Sequence, residues 1–193
     1  LNMFIAQNNI PAPLTIYKNF FKVCPAQLIV FKEYQQISSS DYWKPTKLNN
    51  DFDSRSYQSS SDNFEKIFLE SVNEQMISDV SLGAFLSGGL DSSAGVAAMT
   101  ELSDQKVETH SIGYSDNHYD ERPIARKVAE HLSTNHHEYE FTPNDALNII
   151  PKLGSIYCEP FADSSQIPTY FLCKETRNNV KVALSGDGGD ELF

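Results

Sequence analysis

The stretch AFLSGGLDSSAGVAAM, residues 84–99, decides the fold because a glycine-rich turn separates two apolar segments. VSLGAFLS predicts a short buried strand and DSSAGVAAMTELS predicts a helix. Between them, Gly88 and Gly89 can take positive φ, which turns successive N–H groups inward to form an anion-binding nest. The helix start near Asp91 adds free N–H groups and the positive end of a helix dipole. The stretch therefore predicts a strand–loop–helix unit that binds phosphate.

This loop contains Asp91 and no lysine, which separates it from a Walker A loop. It has no side chain that could cradle a β–γ phosphate bridge, although Ser87, Ser92 and Ser93 supply hydroxyl donors. Asp91 would repel a phosphate unless a divalent cation lay between them. The pattern favours a loop for pyrophosphate and Mg²⁺, with reaction at the α-phosphorus. A tight strand-to-helix turn with Asp91 as a helix cap is the alternative interpretation.

From residue 62 onward, predicted helices alternate with predicted strands. Ser61 or Asp62 is available to cap the first helix, and Pro123 is acceptable in the first turn of a later one. The alternation predicts an α/β fold, a parallel sheet with helices on both faces, in which ligands bind at the carboxyl ends of the strands. The further strands are KVETHSIGY, HHEYEF and VKVALS, and the helices lie within SDNFEKIFLESVNEQMISD, YDERPIARKVAEHL, TPNDALNIIPKLGSIY and SSQIPTYFLCKETRNN.

A second glycine-rich loop, GDGGDELF at residues 186–193, follows the predicted buried strand VKVALS. It carries Asp187, Asp190 and Glu191 among three glycines. Crowded carboxylates repel one another unless some of them bind a cation or share a proton. Because both loops follow strands of one parallel sheet, we expect them to face the same crevice. A solvated acidic turn is the alternative.

The composition limits the class of partner. The chain has 15 basic and 26 acidic residues, a net charge of −11, which argues against a nucleic-acid surface. Three cysteines lie in no metal-type spacing, and no signal peptide or apolar run of membrane length is present. We expect a cytoplasmic protein without a membrane or nucleic-acid partner. Adjacent His136 and His137 in a strand point to opposite faces, so a shared metal is not expected.

Four stretches resemble the synthetase domain of glutamine-hydrolysing asparagine synthetases, members of the ATP pyrophosphatase (PP-loop) family. They are FLSGGLDSS, HSIGYSDNHYDERPIARKVAEHLSTNHHEYEFTP, EPFADSSQIPTYFLCKETR and VKVALSGDGGDELF. The resemblance implies an adenine-nucleotide α-hydrolase-like fold. It also implies the tail of an N-terminal glutaminase-type domain at 1–45, a linker at 46–61 and a synthetase domain at 62–193. QLIVFKEY within the first segment predicts a strand.

Two departures from the family lead us to expect a fragment. The family hydrolyses glutamine with an N-terminal cysteine, whereas the first cysteine here is Cys24, which matches the end of the glutaminase domain. The family also continues beyond GDGGDELF with further helices that carry a catalytic lysine. We therefore expect this polypeptide to be inactive by itself.

The resemblance implies a ligase reaction with ATP and Mg²⁺. ATP would adenylate aspartate to β-aspartyl-AMP, releasing pyrophosphate, and ammonia, derived from glutamine in the full-length enzyme, would displace AMP to form asparagine. The substrates would be small molecules, and a homodimer is one possible assembly. Two alternatives stay open. One is a related synthetase acting on another carboxylate, as in β-lactam synthetases or polysaccharide-associated amidotransferases. The other is a nucleotide-binding fragment without turnover.

The matching positions also assign residues to roles. Asp91 and Asp190 would hold Mg²⁺, and Asp187 stands where the family often has a glutamate implicated in deprotonating ammonia. The alternative interpretation is that Asp163 and Ser164 cap the next helix. The residues that would wrap the pyrophosphate are Ser87, Gly88, Gly89, Leu90, Asp91 and Ser92; those that would line the adenosine are Leu86, Ile112, Gly113, Ser185 and Gly186; and the candidate substrate-side residues are Glu159, Asp163 and Ser165.

Overall fold

The computed structural model describes residues 1–45, 56–115 and 120–190. The chain divides into two compact units. Unit 1 comprises residues 1–54 and 152–164, and unit 2 comprises residues 55–151 and 165–193. Glu191 and most of the predicted linker at 46–61 lie outside the described residues. No helix among the described residues is long and apolar enough to cross a bilayer.

The described part of unit 1 contains two short α-helices and one hairpin: α1 (Asn2–Gln7), α6 (Leu153–Ile156), β1 (Gln27–Lys32) and the antiparallel β2 (Gln35–Asp41). The strand predicted from QLIVFKEY is confirmed as β1. The sequence does not predict β2, because its serines show no alternation of apolar and polar residues. The segment 152–164 joins this unit through an ion pair between Lys22 and Glu159 and a hydrogen bond from Ala162 N to Asn8 O.

Unit 2 contains the strands β3 (Leu82–Phe85), β4 (Glu108–Tyr114), β5 (Asn135–Phe141) and β6 (Val182–Leu184). They form a four-stranded parallel sheet in the order β5-β4-β3-β6. The strands predicted at these positions are confirmed. β6 is the outermost strand of the described sheet on its side, and Val182 is 42% exposed, so the prediction that β6 is buried is wrong. The helices of unit 2 are α2 (Tyr57–Gln75), α3 (Leu90–Leu102), α4 (Arg122–His131), α5 (Pro143–Ile149) and α7 (Gln166–Thr176).

Helices cover both faces of the sheet. Arg126 of α4 pairs with Glu138 of β5, with Nε 2.8 Å from Oε1. Phe171 of α7 packs edge-on against Phe141 of the same strand, with ring centroids 5.2 Å apart. Glu138 and Phe141 are an odd number of positions apart, so their side chains lie on opposite faces. The predicted α/β class, a parallel sheet with helices on both faces, is therefore confirmed.

The hydrophobic core on the α4 face anchors the first loop. It joins Ala84 and Leu86, at the end of β3 and just after it, to buried residues of α3 and α4. Leu86 is 1% exposed, and its N–H donates to the carbonyl of His110 in β4 (2.9 Å). The loop that follows Leu86 therefore begins from a rigid point. The remaining buried members are Val96, Met99, Val107, Ala125 and Ala129.

Helix α2 begins at Tyr57, inside the predicted linker. The hydroxyl of Ser56 accepts a hydrogen bond from Ser59 N and caps the helix. The predicted cap at Ser61 or Asp62 is therefore wrong. Several serines lie close to this helix start, at residues 54, 56 and 59–61. Local sequence alone does not select among such equivalent capping residues.

Candidate functional site

The first loop, Ser87–Gly89, is closed by hydrogen bonds to the first turn of α3. The hydroxyls of Ser87 and Ser92 lie 2.9 Å apart, and Ser87 N donates to Ser92 Oγ (3.3 Å). Gly89 N donates to Ser87 Oγ (3.2 Å). Two of the hydroxyls expected to meet phosphate thus also set the shape of the loop, a role that the sequence did not reveal.

Gly88 lets this loop approach α4. Its φ is +84°, and a Cβ built there would lie 2.8 Å from Ala125 N and 2.8 Å from Ile124 Cγ2. A side chain at this position would be strained by its backbone conformation and would also collide with α4. Glycine at residue 88 is therefore required both by the turn and by the neighbouring helix.

Asp91 does not cap α3. The N-cap residue is Gly89, and no side chain makes a capping hydrogen bond at this helix start. The alternative interpretation of Asp91 as a helix cap is therefore wrong. Asp91 is half-buried in the first turn of the helix, where the helix dipole favours a negative charge.

The carboxylate of Asp91 lies against the second loop, Ser185–Asp190. A Cβ built at Gly189 would lie 2.7 Å from Asp91 Cγ, and one built at Gly186 would lie 2.8 Å from Ser92 N. The second loop therefore packs against the start of α3 through the backbone of Gly186 and Gly189. The prediction that the two loops meet at one edge of the sheet is consistent with these contacts, which the parallel pairing of β3 and β6 produces.

Hydrogen bonds within the second loop shape its turn and orient the carboxylate of Asp187. Ser185 Oγ donates to Asp187 Oδ2 (3.2 Å), and Gly189 N donates to Gly186 O (3.2 Å). Gly188 takes a φ of +91°, which completes the turn. Asp187 and Asp190 are both exposed. The loop thus presents two carboxylates to solvent beside the contact with Asp91.

The carboxylate oxygens on the two loops suit a hard cation that completes its coordination with oxygens from a bound ligand. Among residues 1–45, 56–115 and 120–190, no cluster of three or more His, Cys, Asp or Glu side chains could hold a metal ion. Mg²⁺ usually binds proteins through one or two carboxylates and fills its octahedron with water and phosphate oxygens. Asp91 and Asp190, on the two touching loops, fit this chemistry.

A cavity of about 620 Å³ lies at the carboxyl ends of β4 and β5. It has an aromatic and apolar wall, which suits a planar ring. Burial, and then the charge of Glu121, raises the pKa of Tyr114, so its hydroxyl stays protonated and able to donate a hydrogen bond. The lining residues are Ile112, Tyr114, Ser115, Glu121, Phe141, Thr142 and Pro143.

The residues predicted to line an adenosine differ in their positions. Ile112 lines the cavity, whereas the neighbouring Gly113 faces the α4 side of the sheet, against Asp120 and Arg122. The side chain of Leu86 belongs to the core. Leu90, in the predicted pyrophosphate set, is 85% exposed.

The predicted substrate-side residues fall in both units. Glu159 belongs to unit 1, where its carboxylate lies 2.7 Å from Lys22 Nζ. Asp163 also belongs to unit 1. Ser165 belongs to unit 2 and is the N-cap residue of α7. Their role in binding a substrate stays a prediction.

Comparison with known proteins gives one family. The family model described as asparagine synthase matches residues 63–193. The chain is 40% identical to putative asparagine synthetase (glutamine-hydrolyzing) 2 of Methanocaldococcus jannaschii, covering 100% of this chain and 37% of that protein. It is 32% identical to asparagine synthetase (glutamine-hydrolyzing) 1 of Bacillus subtilis, covering 100% of this chain and 30% of that protein. The chain thus spans about a third of the length of these relatives.

Two solved structures superpose on part of this chain. NMN synthetase from Francisella tularensis superposes with a TM-score of 0.49 and 12% identity, covering 67% of this chain and 56% of that one. The NH3-dependent NAD synthetase from Campylobacter jejuni gives a TM-score of 0.48 and 13% identity, with coverages of 68% and 58%.

Proposed function

We propose a function from the premise that this chain belongs to the asparagine synthase family. The resemblance inferred from its motifs is confirmed by that match and by the named relatives. We infer that the chain forms the nucleotide-binding part of a ligase that uses ATP to convert aspartate to asparagine. Because the chain spans only 37% and 30% of these relatives, the complete reaction is part of the proposal.

The observation that carries the proposal is the contact between the two glycine-rich loops around Asp91. A phosphate chain on the first loop would meet N–H groups, serine hydroxyls and the dipole of α3, but no lysine. Asp91 and Asp190 would hold a Mg²⁺ ion, which supplies the positive charge that the loop lacks. This arrangement favours binding of pyrophosphate as a leaving group over cleavage of a β–γ bond.

In the proposed reaction, the side-chain carboxylate of aspartate attacks the α-phosphorus of ATP. The bond to the bridging oxygen breaks, pyrophosphate leaves, and β-aspartyl-AMP forms. Ammonia then attacks the acyl carbon, and AMP leaves as asparagine forms. The loop residues Ser87–Ser92 would hold the pyrophosphate, and the cavity beside Ile112 would receive the adenine ring.

Asp187 is the proposed group for the ammonia step. Its exposed carboxylate accepts a hydrogen bond from Ser185 and lies in the loop that touches Asp91. It would take a proton from the attacking nitrogen as ammonia adds to the acyl carbon. The Asp187 side chain is one methylene shorter than the glutamate that the family often has at this position. How close its carboxylate comes to the nitrogen therefore depends on the position of the second loop.

The test is pyrophosphate release by the full-length protein that contains residues 1–193. ATP, Mg²⁺ and a panel of carboxylic acids are supplied one acid at a time, with ammonia as the nitrogen source. Release that requires aspartate, together with asparagine formation, supports the proposal. Release with another acid indicates a related synthetase, and ATP binding without release for any acid indicates a nucleotide-binding module. Either of the last two outcomes would overturn aspartate amidation.

A further inference from the structure

Asp120 and Arg122 form a forked ion pair at the start of α4. Arg122 Nε lies 2.8 Å from Asp120 Oδ1, and Arg122 Nη2 lies 2.8 Å from Oδ2. Both side chains are mostly shielded from solvent: 20% of the Arg122 side chain and 12% of the Asp120 side chain are exposed. The hydrogen bonds from Arg122 hold the pKa of Asp120 below its usual value, although burial opposes this. The pair therefore stays ionised and keeps a fixed planar geometry.

This ion pair packs directly on the carboxyl end of β4. A Cβ built at Gly113 would overlap Arg122 Nε and Asp120 Oδ1, so the pair occupies the space that any side chain would need. Arg122 Nη2 also approaches the carbonyl of Tyr114 (3.4 Å). Residues 113 and 114 are thus held by a salt bridge on one side of the strand, while Ile112 and Tyr114 line the cavity on the other.

The same pair holds the start of α4. Arg122 N donates to Asp120 Oδ1 (3.2 Å), so the carboxylate supports the first helical residue as well as the guanidinium. One turn later, Ile124 and Ala125 contact Gly88 of the first loop. Displacing the start of α4 would therefore move the surface against which Gly88 is packed.

We propose that Arg122, held by Asp120, is a positioning residue for the nucleotide. It aligns the end of β4, which would receive the adenosine, with the loop at Gly88, which would receive the pyrophosphate. It acts through the backbone and does not touch the reacting atoms. This inference rests on the proposed function, because it requires that both regions bind one ATP molecule.

The experiment uses the full-length protein containing this chain, with Arg122→Gln, Asp120→Asn and the double variant. Arg126→Gln is a matched control, because Arg126 lies on the same helix and makes a similar forked pair with Glu138 away from Gly113. We expect Arg122→Gln to raise the KM for ATP about ten-fold, the size expected for one charged hydrogen-bond pair. The KM for aspartate should change by less than about two-fold, which is much smaller than the expected rise in the KM for ATP. Arg122→Lys should restore only part of the affinity, because an ammonium cannot reproduce the fork.

The ATP affinities of these variants decide the inference. The double variant should lose no more ATP affinity than Arg122→Gln alone, because the two residues act as one unit. An unchanged KM for ATP in Arg122→Gln, or an equal rise in Arg126→Gln, would overturn it. If Arg122→Gln is poorly folded, Asp120→Asn replaces it. ATP is then titrated into Asp120→Asn well below the melting temperature of that variant, and an ATP affinity equal to that of the wild type would overturn the inference. A wild-type protein that does not bind ATP at all would overturn the proposed function as well, so the two failures are distinguishable.

Discussion

Gly189 and the carboxylate of Asp91 are in direct contact: a Cβ built at residue 189 would lie 2.7 Å from Asp91 Cγ and 2.9 Å from Oδ2. The two residues are far apart in the chain, and the parallel pairing of β3 with β6 brings their loops together. The contact leaves no room for a side chain at residue 189. The position of the Asp91 side chain in the first loop region therefore depends on the glycine at residue 189 in the second loop.

Replacing Gly189 with alanine should weaken ATP binding. The φ of Gly189 lies outside the left-handed region, so the change tests space and not backbone strain. The added methyl group must displace Asp91, and we expect ATP affinity to fall about ten-fold, or about 1.4 kcal/mol. Isothermal titration of ATP with Mg²⁺ measures this. Gly95→Ala in α3, where a Cβ meets nothing within 4 Å, should leave binding unchanged and stabilise the helix by about 0.5–1 kcal/mol.

Asp91→Asn and Asp190→Asn should each abolish the Mg²⁺ dependence of nucleotide binding. Asp190 is exposed and Asp91 is only half-buried, so we expect both variants to stay folded. Each variant replaces one of the two proposed carboxylate ligands with a neutral amide, which takes away half of the negative charge that the protein would offer to the metal. Titrations of ATP with and without Mg²⁺, on the wild type and both variants, measure the effect. Binding of Mg·ATP as tight as in the wild type would show that the metal assignment is wrong.

ATP should be cleaved between its α- and β-phosphates. The first loop supplies N–H groups and hydroxyls but no lysine for a β–γ bridge. With the full-length protein and aspartate labelled with ¹⁸O in its side-chain carboxylate, one labelled oxygen should appear in AMP. Mass spectrometry of the nucleotide products measures the transfer. Formation of ADP with unlabelled phosphate would contradict both the cleavage site and the proposed intermediate.

Acid should destabilise unit 2 through His110. Burial, and then the charge of His137, lowers the pKa of His110 to about 4 in the folded chain. The unfolded chain binds this proton near pH 6.5, so stability is fully present above that pH and is lost as the pH falls toward 4. The loss should reach at most about 1.4 kcal/mol per pH unit for this residue. His136, whose pKa is also lowered by burial, adds a loss of the same sign.

Urea unfolding between pH 7.5 and 4.5 tests this dependence. His110→Phe keeps a ring between His137 and Tyr139, on which His110 is stacked, and should flatten the slope. The exposed His131 on α4 offers a matched control, because His131→Asn removes an imidazole without opening the core. An unchanged slope in His110→Phe would show that other groups cause the loss.

Local patterns in the sequence were sufficient for the order of the elements in unit 2. Helical spacing predicted α4, and β4 and β5 were predicted as strands. The paired histidines were placed on opposite faces, where His136 contacts Thr109 and His137 contacts Glu108. The sequence also predicted both glycine-rich loops and the family. These features depend on neighbouring residues, whose spacing alone determines which side of a helix or strand they occupy.

Contacts between distant segments needed the tertiary structure. The cap of α2 at Ser56 and the strand β2 were missed because their local sequence fits several conformations equally well. The segment YDERP was recognised only as a helix start, whereas Asp120 and Arg122 form the ion pair that packs on Gly113. No spacing rule predicts such a contact, because it depends on how close a helix and a strand approach each other after the core has formed.

The sequence by itself therefore determined which residues could bind a phosphate and a cation, since glycine, serine and aspartate carry that chemistry wherever they lie. Only the tertiary structure decided that Gly189 lies against Asp91 and that Gly88 lies against Ala125. Those distances follow from the pairing of parallel strands and the packing of helices on the sheet, which join residues that are far apart in the chain.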